Sequence, residues 1–198
     1  MTIDEICEKY EIENYTINPD GSIDVYGDVD LCDIDLYEIP LRFNKVYGNF
    51  DCSVNDLTTL KGSPKWVDGD FYCSWNNNKL TSLEFSPDYV GNDFYCSHSG
   101  LTDLIGSPKY IGGDFVCGHI PELINPRGCP EKMGGVLYCN VTPIGSIFTE
   151  VDQHFLHAFN FYKIIKDNTI NLKRLKYVMD LYDKPIDLDQ IKEYYVIK

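Results

Sequence analysis

Nowhere in its 198 residues does the chain hold the roughly 20 consecutive apolar residues that a membrane-spanning helix needs. Its start, Met1-Thr2-Ile3-Asp4-Glu5-Ile6-Cys7, lacks the basic residues and apolar stretch of a signal peptide, so a soluble cytosolic protein is expected. In that compartment the sequons Asn14-Tyr15-Thr16 and Asn140-Val141-Thr142 go unused. Positive charge is scarce: 17 Lys and Arg face 31 Asp and Glu, a net charge of −14. Such a surface repels nucleic acid and anionic lipid and draws in basic protein surfaces, so neither direct nucleic-acid binding nor membrane binding is expected. No Cys-x-x-Cys pair, phosphate loop, nucleophile elbow, HExxH or dinucleotide fingerprint occurs. Catalytic residues, metal ligands and a cofactor are therefore not expected, and the chain reads as a binding protein rather than an enzyme.

The charge that is present is unevenly placed. Residues 1–46 carry 12 acidic and 3 basic side chains, residues 47–148 carry 11 and 6, and residues 149–198 carry 8 and 8. The last segment is a separate electrostatic unit, and three parts are expected: a cap over 1–26, a repeat array over 27–148 and a tail over 149–198.

The repeat is visible at a period of about 21 residues, which aligns Phe50, Phe71, Phe94, Phe115 and Leu137 in one column. Two positions later stand Cys52, Cys73, Cys96, Cys117 and Cys139, at intervals of 21, 23, 21 and 22. Leu57, Leu80, Leu101, Leu123 and Ile144 form a further column, and Val67, Val90, Ile111 and Met133 another. An earlier, degenerate unit carries Val29, Leu31, Leu36, Ile39 and Val46 at the same offsets. A unit offers about five apolar side chains at roughly 1.5–3 kcal/mol each, against roughly 1–2 kcal/mol of backbone ordering for each of its residues. No unit can fold alone; stacked units can.

The clearest copy, Phe50-Asp51-Cys52-Ser53-Val54-Asn55-Asp56-Leu57-Thr58-Thr59-Leu60, resembles the leucine-rich repeat L-x-L-x-x-N-x-L-x-x-L, with Phe and Cys in the first two apolar slots. The resemblance covers residues 27–148. It implies an α/β solenoid of about six units of 21–23 residues, with one short strand per unit joining a parallel, concave sheet. The pattern's Asn is read at Asn55 and Asn78, with two extra residues in Trp75-Asn76-Asn77-Asn78, and is replaced by Ile34, Ser99 and Thr142 elsewhere. Taken with Asn18-Pro19-Asp20-Gly21-Ser22-Ile23-Asp24-Val25 before the repeats and Ile170-Asn171-Leu172-Lys173-Arg174-Leu175-Lys176-Tyr177 after them, the chain looks like small repeat proteins of tailed bacteriophages and some bacteria. That resemblance implies the cytoplasm of an infected cell and brings no known activity.

Both flanks read as end covers. Thr2-Ile3-Asp4-Glu5 is a capping box for a short helix reaching about Tyr10, and Tyr15 to Val25 reads as two strands around the Asn18-Pro19-Asp20-Gly21 turn. In the tail, Val151, Phe155, Ala158, Phe159 and Tyr162 mark one helix; Leu172, Leu175, Met179 and Tyr182 a second; Leu188, Ile191 and Tyr195 a third. A C-terminal helical bundle is expected.

Of the eight cysteines, five lie in the core column and read as buried reduced thiols. His154 and His157 read as helix-surface residues, whereas His98 and His119 share one position after the core Cys. Lys173, Arg174 and Lys176 form a basic cluster that reads as a solvated helix face. Residues beside the buried Phe and Cys must point outward, because a strand alternates. They are Asp28, Asn49, Asp70, Asp93 and Asp114 before the Phe slot, and Asp30, Asp51, Tyr72, Tyr95, Val116 and Tyr138 after it. Carboxylates about 4.8 Å apart repel by about 0.9 kcal/mol even at the dielectric of water. A stripe of them is expected to meet something cationic. The expected partner-binding face is thus Asp28, Asp30, Asp51, Asp70, Tyr72, Asp93, Tyr95, Asp114 and Tyr138, and the expected partner a basic protein surface, such as a host defence protein inhibited by a phage product. DNA mimicry and a structural place in the virion are the alternatives.

Overall fold

The computed structural model describes residues 1–198. Six coils stack in one register, each contributing two short strands rather than one. A first parallel sheet takes Ile23–Val25, Phe43–Val46, Trp66–Val67, Tyr89–Val90, Tyr110–Ile111 and Lys132–Met133, with Tyr15–Ile17 antiparallel at its start. A second takes Val29–Asp30, Phe50–Asp51, Phe71–Tyr72, Phe94–Tyr95, Phe115–Val116 and Val136–Tyr138, with Glu150–Asp152 antiparallel at its end. The single-sheet expectation is corrected here. The Val46, Val67, Val90, Ile111 and Met133 column is itself a strand position, paired coil to coil.

Between the two strands of a coil the chain turns at glycine, and the turn is tight because a neighbour sits where a side chain would go. A Cβ on Gly69 would collide with Asn49 Oδ1, and one on Gly113 with Asp93 Oδ1. On the inner side, Phe50, Phe71, Phe94 and Phe115 are fully buried, as are Cys52, Cys73, Cys96 and Cys117. Phe50, Phe71 and Phe94 stack nearly parallel at 5.4 and 5.3 Å, while Phe115 meets Phe94 edge-on at 5.1 Å. All eight cysteines are free. Three core thiols donate: Cys52 Sγ to the Tyr72 carbonyl and Cys73 Sγ to the Tyr95 carbonyl, both at 3.3 Å, and Cys139 Sγ to the Phe148 carbonyl at 3.1 Å. Burial pushes the Cys139 thiol up to about 12 and the other core thiols up as well, so they stay protonated and inert.

Just past the strands of the second sheet, buried side-chain amides take over where strand pairing stops. Asn55 Oδ1 accepts from Leu36 N at 2.9 Å and its Nδ2 donates to the Leu31 carbonyl at 2.7 Å. In the next coil the residue doing this is Asn76, not Asn78: its Oδ1 accepts from Leu57 N at 3.0 Å and its Nδ2 donates to the Cys73 carbonyl at 2.9 Å. The two extra residues therefore lie after the Asn, in the exposed Asn77-Asn78-Lys79 stretch.

The ends close as anticipated and with one addition. Helix α1 (Ile3–Lys9) has the full capping box of Thr2 and Glu5 and buries Cys7. Helices α2 (Gln153–Phe161), α3 (Leu172–Leu181) and α4 (Leu188–Lys192) make up the tail. With them stands a small sheet of Ile165–Lys166, Thr169–Ile170 and Val196–Ile197, so the tail is mixed rather than a purely helical bundle. Phe148 meets both Phe155 and Phe159 of α2 edge to face, and Gln153 Oε1 accepts the Met133 N–H at the first sheet's last strand. No helix is long and apolar enough to cross a membrane.

The Asn assignment is testable by urea denaturation. Asn76→Ala strips partners from two buried backbone groups and should cost about 2–4 kcal/mol. Asn78→Ala should cost about 1 kcal/mol or less, the preference of an exposed Asn for its left-handed backbone. Equal losses would put the ladder residue in the wrong place.

Candidate functional site

Strand pairing lines up Asp30, Asp51, Tyr72, Tyr95, Val116 and Tyr138 on the outward side of the second sheet, and Glu150 faces Tyr138 across the final antiparallel pair. These nonadjacent residues are brought together as the sequence pattern implied. Asp30 and Glu150 are exposed, the others partly so. The Tyr72 and Tyr95 rings stack at 4.7 Å and 7°, so they present their edges and hydroxyls to solvent, not their faces.

The aspartate column beside them differs from its expected state. Asp28 Oδ1 accepts the Asn49 N–H (2.7 Å), Asn49 Oδ1 that of Asp70 (2.8 Å), and Asp70 Oδ1 that of Asp93 (2.9 Å). Asp93 Oδ1 then accepts from Asp114 N (2.7 Å), and Asp114 Oδ1 from Val136 N (2.9 Å). On the other oxygen, Asp70 and Asp93 accept the hydroxyls of Tyr72 and Tyr95, both at 2.9 Å. A charge-assisted bond of this kind contributes about 1.5–3 kcal/mol, more than the about 0.9 kcal/mol of repulsion between neighbours. The column is thus stable without a cation, because its carboxylates hold the bends of the following coils. The Tyr hydroxyls are raised, Tyr72 to about 12, by desolvation first and the Asp bond second. They remain donors at neutral pH.

One further ladder escaped the sequence reading, and another was read only in part, as His98 and His119. On the outward side of the first sheet, Lys45, Trp66, Tyr89, Tyr110 and Lys132 occupy one register. Trp66, Tyr89 and Tyr110 stack at 3.7 and 4.7 Å, with the Lys45 and Lys132 ammonium groups over the two end rings at 5.8 and 5.4 Å. The signal was available, since these residues directly precede the Val column. The other ladder is Trp75, His98 and His119, stacked at 3.4 and 4.7 Å. It belongs to a column, Asp33, Val54, Trp75, His98, His119 and Val141, in which every residue has φ between 54° and 60°. Such a conformation costs a residue other than Gly, Asn or Asp roughly 1–2 kcal/mol, and the coil geometry imposes it six times. Trp75 was missed because it was counted as part of the insertion.

His154 and His157 are exposed on α2, and Lys173, Arg174 and Lys176 are exposed on α3. No three His, Cys, Asp or Glu side chains converge as a metal cage requires. No protein-family model matches the sequence, and no curated protein and no solved structure matches it either.

Two outcomes follow. Asp93→Ala should lower stability by about 1–3 kcal/mol in chemical denaturation, whereas Asp93→Asn, which copies native Asn49, should stay within about 1 kcal/mol; matching losses would deny the amide-holding role. The His98 pKa is lowered from 6.5, by desolvation first and by His119 second. A depressed folded value means the unfolded chain binds protons first on acidification, so the stability His98 contributes is present above 6.5 and lost below it. An NMR titration should place its midpoint under 6.5 and show it rising in His119→Asn; a midpoint at or above 6.5 contradicts the stacked pair.

Proposed function

We propose that this chain is a protein-binding solenoid that takes a basic, extended segment of a partner along the outward face of its second sheet. The observation behind this reading is the run of Tyr72, Tyr95, Val116 and Tyr138 flanked by Asp30 and Asp51 at one end and Glu150 at the other. Tyr72 and Tyr95, whose rings and hydroxyls are already fixed, lose little freedom on binding, which is what makes such residues effective interface anchors. The flanking carboxylates supply sign and direction: a segment with cations at its ends and a flatter middle fits them. With a net charge of −14, long-range attraction speeds the encounter. If the partner is a host protein, occupying such a segment is how the chain would inhibit it.

The bonding of Asp70 and Asp93 decides how to test this, since removing them would disturb the coils. Tyr72→Ala, Tyr95→Ala and Tyr138→Ala together leave every carboxylate in place. In fluorescence anisotropy with a labelled Lys- and Arg-rich peptide, the triple variant should bind at least about tenfold more weakly, and wild-type binding should weaken with salt. Trp66→Ala, on the other sheet, should bind normally. Unchanged affinity in the triple variant would exclude this face, and displacement of the natural partner by duplex DNA would favour mimicry instead.

A further inference from the structure

A second site of opposite character lies where the tail meets the solenoid, independent of the peptide-binding reading. The last turn of α2, the hairpin after it and the first turn of α3 wrap around the Gly128-Cys129-Pro130 bend and leave a crevice of about 480 Å³. Four cations line it, Arg127, Lys163, Lys166 and Arg174, against one carboxylate, Glu131. These are four of the chain's 17 Lys and Arg, gathered at one place in a molecule of net charge −14. Arg127 is occupied by Asp103 at 2.6 Å. The other three take part in none of the five ion pairs of the chain. Arg174 is positioned nonetheless, since its Nη1 donates to the Lys163 carbonyl at 3.3 Å, which leaves the rest of its guanidinium free at the rim.

Charge and shape together define the ligand. At physiological salt, acids more than about 8 Å away are largely screened, so an approaching anion meets the local cations rather than the net charge. Guanidinium and ammonium groups side by side suit a phosphate, which the guanidinium can grip through two oxygens. Beyond them the lining has an apolar wall, Pro130, Phe159, Ile164 and Ile165, of which Ile165 is the most open, and a polar side of Asn125, His157 and Asn160. A bare inorganic anion would leave the apolar wall unused. A nucleic-acid strand would have to run on across an acidic body. The volume falls within the roughly 300–1,000 Å³ of sites that enclose small molecules.

We propose that this crevice binds a small, water-soluble phosphate monoester, with its phosphate against Lys163, Lys166 and Arg174 and its organic body on Pro130 and Ile165. AMP and inorganic phosphate serve as probes, titrated into the 15N-labelled full chain while backbone amide shifts are followed. AMP should saturate, with shifts confined to the crevice, and should bind at least about tenfold more tightly than inorganic phosphate, which lacks a body for the apolar wall. Lys166→Ala with Arg174→Ala, both exposed, should weaken AMP by about tenfold or more while leaving the thermal melt and the binding of basic peptide intact. Absence of crevice shifts, equal affinity for the two probes, or full affinity in the double variant would each overturn the assignment. So would displacement of AMP by hexaglutamate, which would make the site one for acidic peptide, or by vesicles of phosphatidic acid, which would make it a lipid-headgroup site.

Discussion

At each bend a side-chain oxygen of one coil accepts the backbone N–H of the next, and that bond, repeated five times from Asp28 to Val136, fixes the height at which every coil sits on its neighbour. Hydrophobic burial drives the stacking but is indifferent to small slips. A directional bond from a short side chain is not. Once Asp70 and Asp93 are pinned, Phe71 must lie over Phe94 and Tyr72 over Tyr95, so the core and the outward ladders share one register. The glycines follow from the same constraint, for the accepting oxygen occupies the space a side chain at the bend would need. Structure and candidate surface are thereby built from the same residues, and the carboxylates that colour the face also hold it up.

How far this could be read from the sequence depends on whether a feature repeats. The Phe and Cys columns recur in every coil, and so does burial, which made the solenoid, its inward positions and the Tyr72, Tyr95 and Tyr138 alignment legible. The first sheet was written in the same way, in Val46, Val67, Val90 and Ile111, but two-residue strands are too short for alternation to be told from a turn. Asn78 was chosen over Asn76 because three asparagines in a row offer no local criterion; only counting three residues forward from each core Cys separates them. The bonding of the aspartates was illegible for a different reason. Sequence places a carboxylate in a column but not the amide above it, and the sign of the column's energy turns on that amide. The crevice at the tail was beyond reach, since Arg127 and Arg174 are 47 residues apart and lie outside any period.

The three outward ladders differ in what they leave available to a partner. In Trp66, Tyr89 and Tyr110 the ring faces are used up by one another and the two end faces by lysines, a closed stack that offers only edges. Trp75, His98 and His119 are stacked as well, on backbone the fold must strain to provide. On the second sheet the tyrosines give edges and hydroxyls, with one oxygen each of Asp30 and Asp51 engaged in holding its own chain at Cys32 and Ser53. That last ladder is the one in which rigid aromatic area and spare negative charge coincide.

Support within the array is not uniform, and the tail lies where it thins. Asn55 and Asn76 serve the second and third coils, but the fourth has Ser99, whose buried hydroxyl finds no partner, and the fifth has apolar Ile120. In a stack coupled only to nearest neighbours, a weak coil opens the way for fraying from its nearer end. The nearer end here is the C-terminal one. Tyr195, from the far end of the chain, donates its hydroxyl to the Ile124 carbonyl of the fifth coil at 2.8 Å and is itself buried. Asn160 of α2 reaches back to Pro126 and Cys129. The tail therefore does more than cover the last coil: it supplies, from outside the repeat, polar contacts to the coil in which the Asn ladder has ended, and in folding against that coil it also shapes the basic crevice.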